Sequence, residues 1–254
     1  MQKRIIAIFA LAILLVLNSN LSATEIDKAT GLFLLDDYDS VNRECKSIII
    51  NPSSRRDEIE YSYFLLGLSQ MKEGRLDEAR DSFRILIRNF PKSELVQKTH
   101  LALADTYFLE ENFESALKIY SDILSRYPNS DLMSLIYFRL GQVNLKLGNW
   151  QDVRRYLKMA KDKVPNSLVS GFAKRLLGYE YFFTIQVGSF KDYKRAKSLT
   201  NELVTKDYDC YIMEAKVDND RFYRVRVGKL SSRKEAIQLK ERLSRQGYPV
   251  IIYP

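Results

Sequence analysis

Three proline-centred segments recur at a fixed interval. Phe90-Pro91-Lys92-Ser93, Tyr127-Pro128-Asn129-Ser130 and Val164-Pro165-Asn166-Ser167 stand 37 residues apart, and Asn51-Pro52-Ser53 precedes them. Set in register, the units align Gly67, Ala104 and Gly141, preceded by Leu66, Leu103 and Leu140. They also align Ala79, Ala116 and Val153, followed by Phe83, Tyr120 and Leu157. A small residue where two helices cross, a bulky one later and a proline that stops the second helix describe a helix pair. One such pair cannot bury its apolar face alone, so neighbours must stack and share a continuous core.

The pattern resembles the tetratricopeptide repeat, with units a few residues longer than the usual length of about 34. The resemblance implies an all-α solenoid over residues 24–178, in units of about 24–59, 60–96, 97–133 and 134–170 and a half-unit over 171–179. In the degenerate first unit Tyr38 takes the position of Leu76, Phe113 and Trp150, and Cys45 that of Phe83. Trp150, the only tryptophan, is expected to wedge between helices. In tetratricopeptide arrays the first helices line a concave surface. Phe64, Leu68, Leu101, Phe108, Phe138 and Leu145 are expected there, as an apolar groove for an extended or helical peptide of a protein partner.

The last quarter of the chain is written twice. Phe183-Thr184-Ile185-Gln186-Val187-Gly188-Ser189-Phe190 returns forty residues later as Tyr223-Arg224-Val225-Arg226-Val227-Gly228-Lys229-Leu230. Ala196, Leu199 and Leu203 are echoed by Ala236, Leu239 and Leu243. Each half closes on an apolar run, Cys210–Met213 and Val250–Tyr253. Strand, helix-spaced stripe and strand, stated twice, predict a split βαβ unit with a four-stranded antiparallel sheet, as in ferredoxin-like and RNP-like folds. The strings FTIQVGSF and FYRVRVGKLSSRKEA resemble the two halves of a SPOR domain, a bacterial module that binds septal peptidoglycan, over residues 179–254. The predicted fold is thus α + α/β in two domains.

Alternation sorts the strands into faces. Phe183, Ile185, Val187, Tyr223, Val225 and Val227 are expected to point at the helix stripes. Thr184, Gln186, Phe222, Arg224 and Arg226 are expected to point away into solvent, with Ser189 at the strand end beside them. Amide and guanidinium groups can bond hydroxyl and acetamido oxygens, and a ring offers a platform for a pyranose. The resemblance implies that Gln186, Ser189, Phe222 and Arg224 mark the glycan-binding face, although Phe222 stands where tryptophan is often found. Arg226 joins them by strand parity alone. The same topology also serves RNA binding, but Phe222 is the one outward aromatic on the central strands, and no nucleic-acid partner is expected.

Lys3 and Arg4 precede an apolar run from Ile5 to Leu17, then small and polar residues to Ala23, the layout of a signal peptide over 1–23. Export to the periplasm or cell envelope is expected, an uncleaved anchor being the alternative, with no stable membrane span after cleavage. The net charge of +8 is uneven: residues 23–180 carry 23 basic and 23 acidic residues, and residues 181–254 carry 15 and 9. The excess points the C-terminal module at an anionic or polyhydroxylated partner. Cys45 and Cys210 are expected as buried free thiols. One histidine, His100, excludes a Ser-His-Asp triad and histidine-rich metal sites. Glu110-Glu111 and Asp36-Asp37 read as solvated loop charge. The expectation is a non-enzymatic protein without cofactor or metal, in which the C-terminal module binds peptidoglycan glycan strands and the repeats bind a partner in cell division or wall remodelling. An envelope-assembly adaptor whose C-terminal module only localises it is the alternative. A wall hydrolase is the third reading, disfavoured because the repeats occupy the space its catalytic domain would need.

Overall fold

The computed structural model describes residues 25–217 and 220–254; the expected signal peptide lies outside them. The first half is an array of antiparallel helices: α1 (Glu25–Leu34), α2 (Tyr38–Ile50), α3 (Arg56–Lys72), α4 (Leu76–Asn89), α5 (Val96–Leu109), α6 (Phe113–Arg126), α7 (Met133–Leu147), α8 (Trp150–Lys163) and α9 (Leu168–Leu177). Leu76, Phe113 and Trp150 each begin the second helix of a pair, and so does Tyr38. The helices stop where the prolines require it. Phe90, Tyr127 and Val164, each preceding proline, leave helical geometry at φ −128°, −129° and −134°, because the proline ring disfavours a helical residue before it.

The small residues do what their spacing implies. A side chain on Gly67 would run into the Phe83 ring, and a Cβ on Gly141 would lie 2.7 Å from Leu157 Cδ2. The two helices of each pair therefore approach as closely as the bulky residue of the second allows. A polar network crosses the array: Tyr120 donates to Asp105, and the Arg139 guanidinium meets the same carboxylate at 3.1 Å, all three buried. Glu110 is not merely solvated loop charge. It accepts from buried Arg80 at 3.0 Å, and so ties α4 to the end of α5. Cys45 is buried, and burial pushes its thiol up to about 12. Cys210, expected to be buried, is half-buried and points its thiol at the Thr200 carbonyl 3.4 Å away.

The C-terminal domain runs β1 (Phe183–Phe190), α10 (Tyr193–Thr205), β2 (Cys210–Val217), β3 (Asp220–Leu230), α11 (Arg233–Arg245) and β4 (Ile251–Tyr253), with antiparallel order β2-β3-β1-β4. The forty-residue echo extends to the caps: Asp192 accepts from the Lys194 amide at the start of α10, and Ser232 from the Glu235 amide at the start of α11. Such side-chain acceptors satisfy amides that the first helical turn leaves open. Both helices cover one face of the sheet, where Phe183, Ile185, Val187, Val225 and Val227 are buried with Ala196, Leu203, Ala236 and Leu243.

The domains abut. The Trp150 ring lies 5.0 Å from that of Phe183 and stacks on Tyr181 at 6.0 Å, while its Nε1 donates to the Ser231 carbonyl at 2.9 Å. Trp150 is thus no simple inter-helix wedge. It heads α8 and inserts into the joint, packing against both cores. Arg233 completes the joint by donating to the Lys146 carbonyl at 2.8 Å with its guanidinium 4.8 Å from the centre of the Phe113 ring.

Candidate functional site

The face of the sheet turned away from α10 and α11 collects the residues singled out by parity, and a strand irregularity completes the set. Gln186 stands opposite Arg226, but Gly188 stands opposite Val225, so two residues of β1 advance against one of β3. That bulge sends Gly188 to the core side, where a Cβ would crowd Phe190 and Leu199. Ser189 turns outward, opposite Arg224. Strict alternation would have left Ser189 on the face of Ile185 and Val187; the extra residue brings it beside Gln186.

Arg224 and Arg226 lie side by side on β3, flanked by Met213 and Tyr211 of β2 and by Ser189 and Gln186 of β1. Phe222 closes the row at the far end, opposite Ala215 and 5.7 Å from the Lys191 ammonium. Tyr253 of β4 closes the other end, its ring centre 4.8 Å from the Arg226 guanidinium. Tyr211 and Tyr253 were not assigned to this face by the sequence reading. Their positions in the two closing apolar runs were the available signal, since one face of each flanking strand must share the outward side.

Gln186 corrects a sequence expectation. It is 9 % exposed, and neighbouring Thr184 is 1 % exposed, because the side chains of the flanking strands close over the central one. Thr184 spends its hydroxyl on the Val227 carbonyl at 3.2 Å. Gln186 does not find such a partner for its Oε1. That atom, Arg224 Nε and Arg226 Nε are all buried, and none has a hydrogen-bond partner among the described residues. A buried polar group without a partner costs about 1–3 kcal/mol, and native proteins rarely leave one. Above these atoms Arg224 and Arg226 are half-exposed and Ser189 is exposed, so the patch presents guanidinium and hydroxyl groups fringed by Tyr211, Tyr253 and Phe222. It can donate and accept several hydrogen bonds in a plane while rings pack against an apolar surface.

The six residues expected to line a repeat groove are placed otherwise. Phe64, Leu68, Leu101, Phe108 and Phe138 are buried, and Leu145 is half-buried against the core of the last units. Phe64 packs on Phe83 at 6.3 Å, Phe108 meets Phe113 edge-on at 5.4 Å, and Phe138 packs on Phe172 at 6.3 Å. They serve the packing within and between helix pairs, because stacked pairs need apolar residues on both sides of the first helix. They do not form an open groove. His100 points Nδ1 at the Val96 carbonyl, and no group of His, Cys, Asp and Glu among the described residues could hold a metal ion. Among the described residues, no helix is long and apolar enough to cross a membrane.

Residues 179–254 match the SPOR domain, and residues 61–93, 99–130 and 136–167 match the tetratricopeptide repeat. No curated protein matches the chain. SPOR is a peptidoglycan-binding domain and tetratricopeptide repeats mediate protein interactions; both are binding modules rather than catalytic ones. The chain is a tetratricopeptide-repeat protein with a C-terminal SPOR domain.

Proposed function

We propose that this protein docks on glycan strands of the bacterial cell wall through the outer face of its sheet, while its helical repeats hold a protein partner of division or wall remodelling. One observation carries the reading: half-exposed Arg224 and Arg226 lie side by side with exposed Ser189 and with Gln186 on one sheet face edged by Phe222, Tyr211 and Tyr253. A sugar chain matches that face, because hydroxyl and acetamido groups both donate and accept, and the apolar side of a pyranose packs on a ring. Glycan stripped of its stem peptides, as found at division sites, is the preferred form of the ligand. A bare strand can lie flat along the row from Phe222 to Tyr253, which a branched one cannot. The signal-like N-terminus supports export to the compartment where the wall lies.

The test is a sacculus pull-down with the full chain and single variants. Arg224→Ala removes a charged donor, an interaction worth about 1.5–3 kcal/mol, and should weaken binding about tenfold or more. Gln186→Ala should also weaken binding; relief of the unpaired Oε1 and loss of the packed side chain act oppositely on stability, so the unfolding midpoint should move little. Val225→Ala, on the opposite face, should lower stability by about 1–3 kcal/mol and keep affinity per folded molecule. Wild-type binding by both Arg224→Ala and Gln186→Ala would remove this face from consideration. Sacculi treated with an amidase to strip stem peptides should bind more protein than untreated ones; equal binding would defeat the preference for bare strands.

A further inference from the structure

Between the repeats and the sheet lies a cleft of about 960 Å³ that the glycan face does not use. Its size is at the upper end of ligand sites, roughly 300–1,000 Å³. One wall is β4 and the residues around it, with Ile251 52 % exposed; a second is α11, through Ile237 and Lys240; the third is the repeat array, through Phe113 and Lys146. Two features say what would fill it.

The first feature is the sheet edge. β4, three residues long, pairs with β1 and ends the order β2-β3-β1-β4, so among the described residues its other edge has no partner strand. An unpaired strand edge is a template for another extended chain, and exposed edges are normally blunted or covered. The second feature is charge. Lys146 and Arg233 sit against one another at the domain joint, and burial pulls the Lys146 ammonium below its usual value, with Glu111 opposing the shift and Arg233 adding to it. Four cations, Lys146, Arg233, Lys240 and Arg245, line the cleft with two acids, Glu111 and Glu241, and Lys240 stands exposed. Of the two acids there, Glu241 already faces Arg245 at 3.7 Å. The cleft therefore holds cations short of anions, beside apolar surface and an open strand edge.

We propose that this cleft binds an extended acidic peptide of a partner protein, which adds as a strand to the free edge of β4. Carboxylates of the peptide on the α11 side meet Lys146 and Lys240, and the intervening apolar side chains, turned to the outer side of the sheet, rest on Ile251. The strand period of two supplies that alternation. Partner binding is thereby placed at the joint of the two domains, next to the glycan face at Ile251, which pairs with Gln186.

The experiment uses the full chain and a blocked, fluorescent decapeptide alternating glutamate with valine, followed by anisotropy. Binding is expected, falling with salt. The lysine–valine counterpart should not bind, and a version N-methylated at alternate residues should bind far less because it cannot pair with the strand edge. Lys146→Gln combined with Lys240→Gln should weaken binding about tenfold or more, while sacculus binding stays at the wild-type level as proof of folding. Should that variant be misfolded, a photo-crosslinking residue in place of Ile237 must capture the peptide. No binding of the glutamate peptide, undiminished binding by the charge variant or by the methylated peptide, or a crosslinker that captures nothing overturns the proposal. Loss of the peptide through Arg224→Ala, or its displacement by excess sacculi, would instead assign the peptide to the glycan face and overturn it equally. Because the sacculus arm is separate, failure of the cleft and failure of the glycan reading are distinguishable.

Discussion

His100 places its Nδ1 2.9 Å from the Val96 carbonyl and its ring 6.1 Å from that of Tyr127, inside the array rather than at any site. Burial lowers its affinity for a proton, the carbonyl opposes the shift and Arg126 adds to it. The unfolded chain, with a histidine near 6.5, binds that proton more readily. This contribution to stability is therefore full above that value and is lost as pH falls through the lowered one. Melting curves from about pH 7.5 to 5 should show the wild type losing more than His100→Gln over that interval; parallel curves would mean the ring titrates as it does in the unfolded chain. At the same scale Gln186 shows where alternation stops informing. Parity placed it on the outer face, but its burial depends on Arg226 and Ile251 across two strands, which lie 40 and 65 residues away in sequence.

Elements were the most legible level. The proline period, the Gly/Ala/Gly column and the doubled strand motif each correspond to helices or strands because all three depend on local geometry. The first-helix phenylalanines were misread because periodicity marks a residue as apolar without saying which neighbour covers it. The Val187–Gly188 bulge escaped because one residue can be added to a strand without disturbing its composition, and Gly188 was the only hint. The small-residue column yields a contrast. Gly67→Ala would drive a methyl into Phe83 and should cost about 1–3 kcal/mol. Gly171, in α9, has nothing near the site of a new Cβ, so Gly171→Ala should stabilise by about 0.4–1 kcal/mol. Denaturant unfolding with unchanged slopes separates the two; a Gly67→Ala protein as stable as wild type would show that the pair can spread without penalty.

At the scale of the molecule, the joint at Trp150 decides whether the outer sheet face and the repeats move together. Tyr181, Phe183 and the Ser231 carbonyl hold the indole from three sides, and no glycine- or serine-rich spacer separates Leu177 from Phe183. Solution scattering of the wild type should fit one narrow distribution of inter-domain distance, and Trp150→Ala should broaden it. Superimposable curves would show that the remaining contacts suffice. The same joint sets how the protein bears load. If the sheet is held on the wall and the array by a partner, as proposed, a pull between them enters at Phe183, the first residue of β1, which β3 and β4 flank on either side. Force along that strand shears its rungs together instead of unzipping them one at a time. On the proposed function, tension between wall and partner is thus carried by several backbone hydrogen bonds at once, and β1 is the strand that bears it.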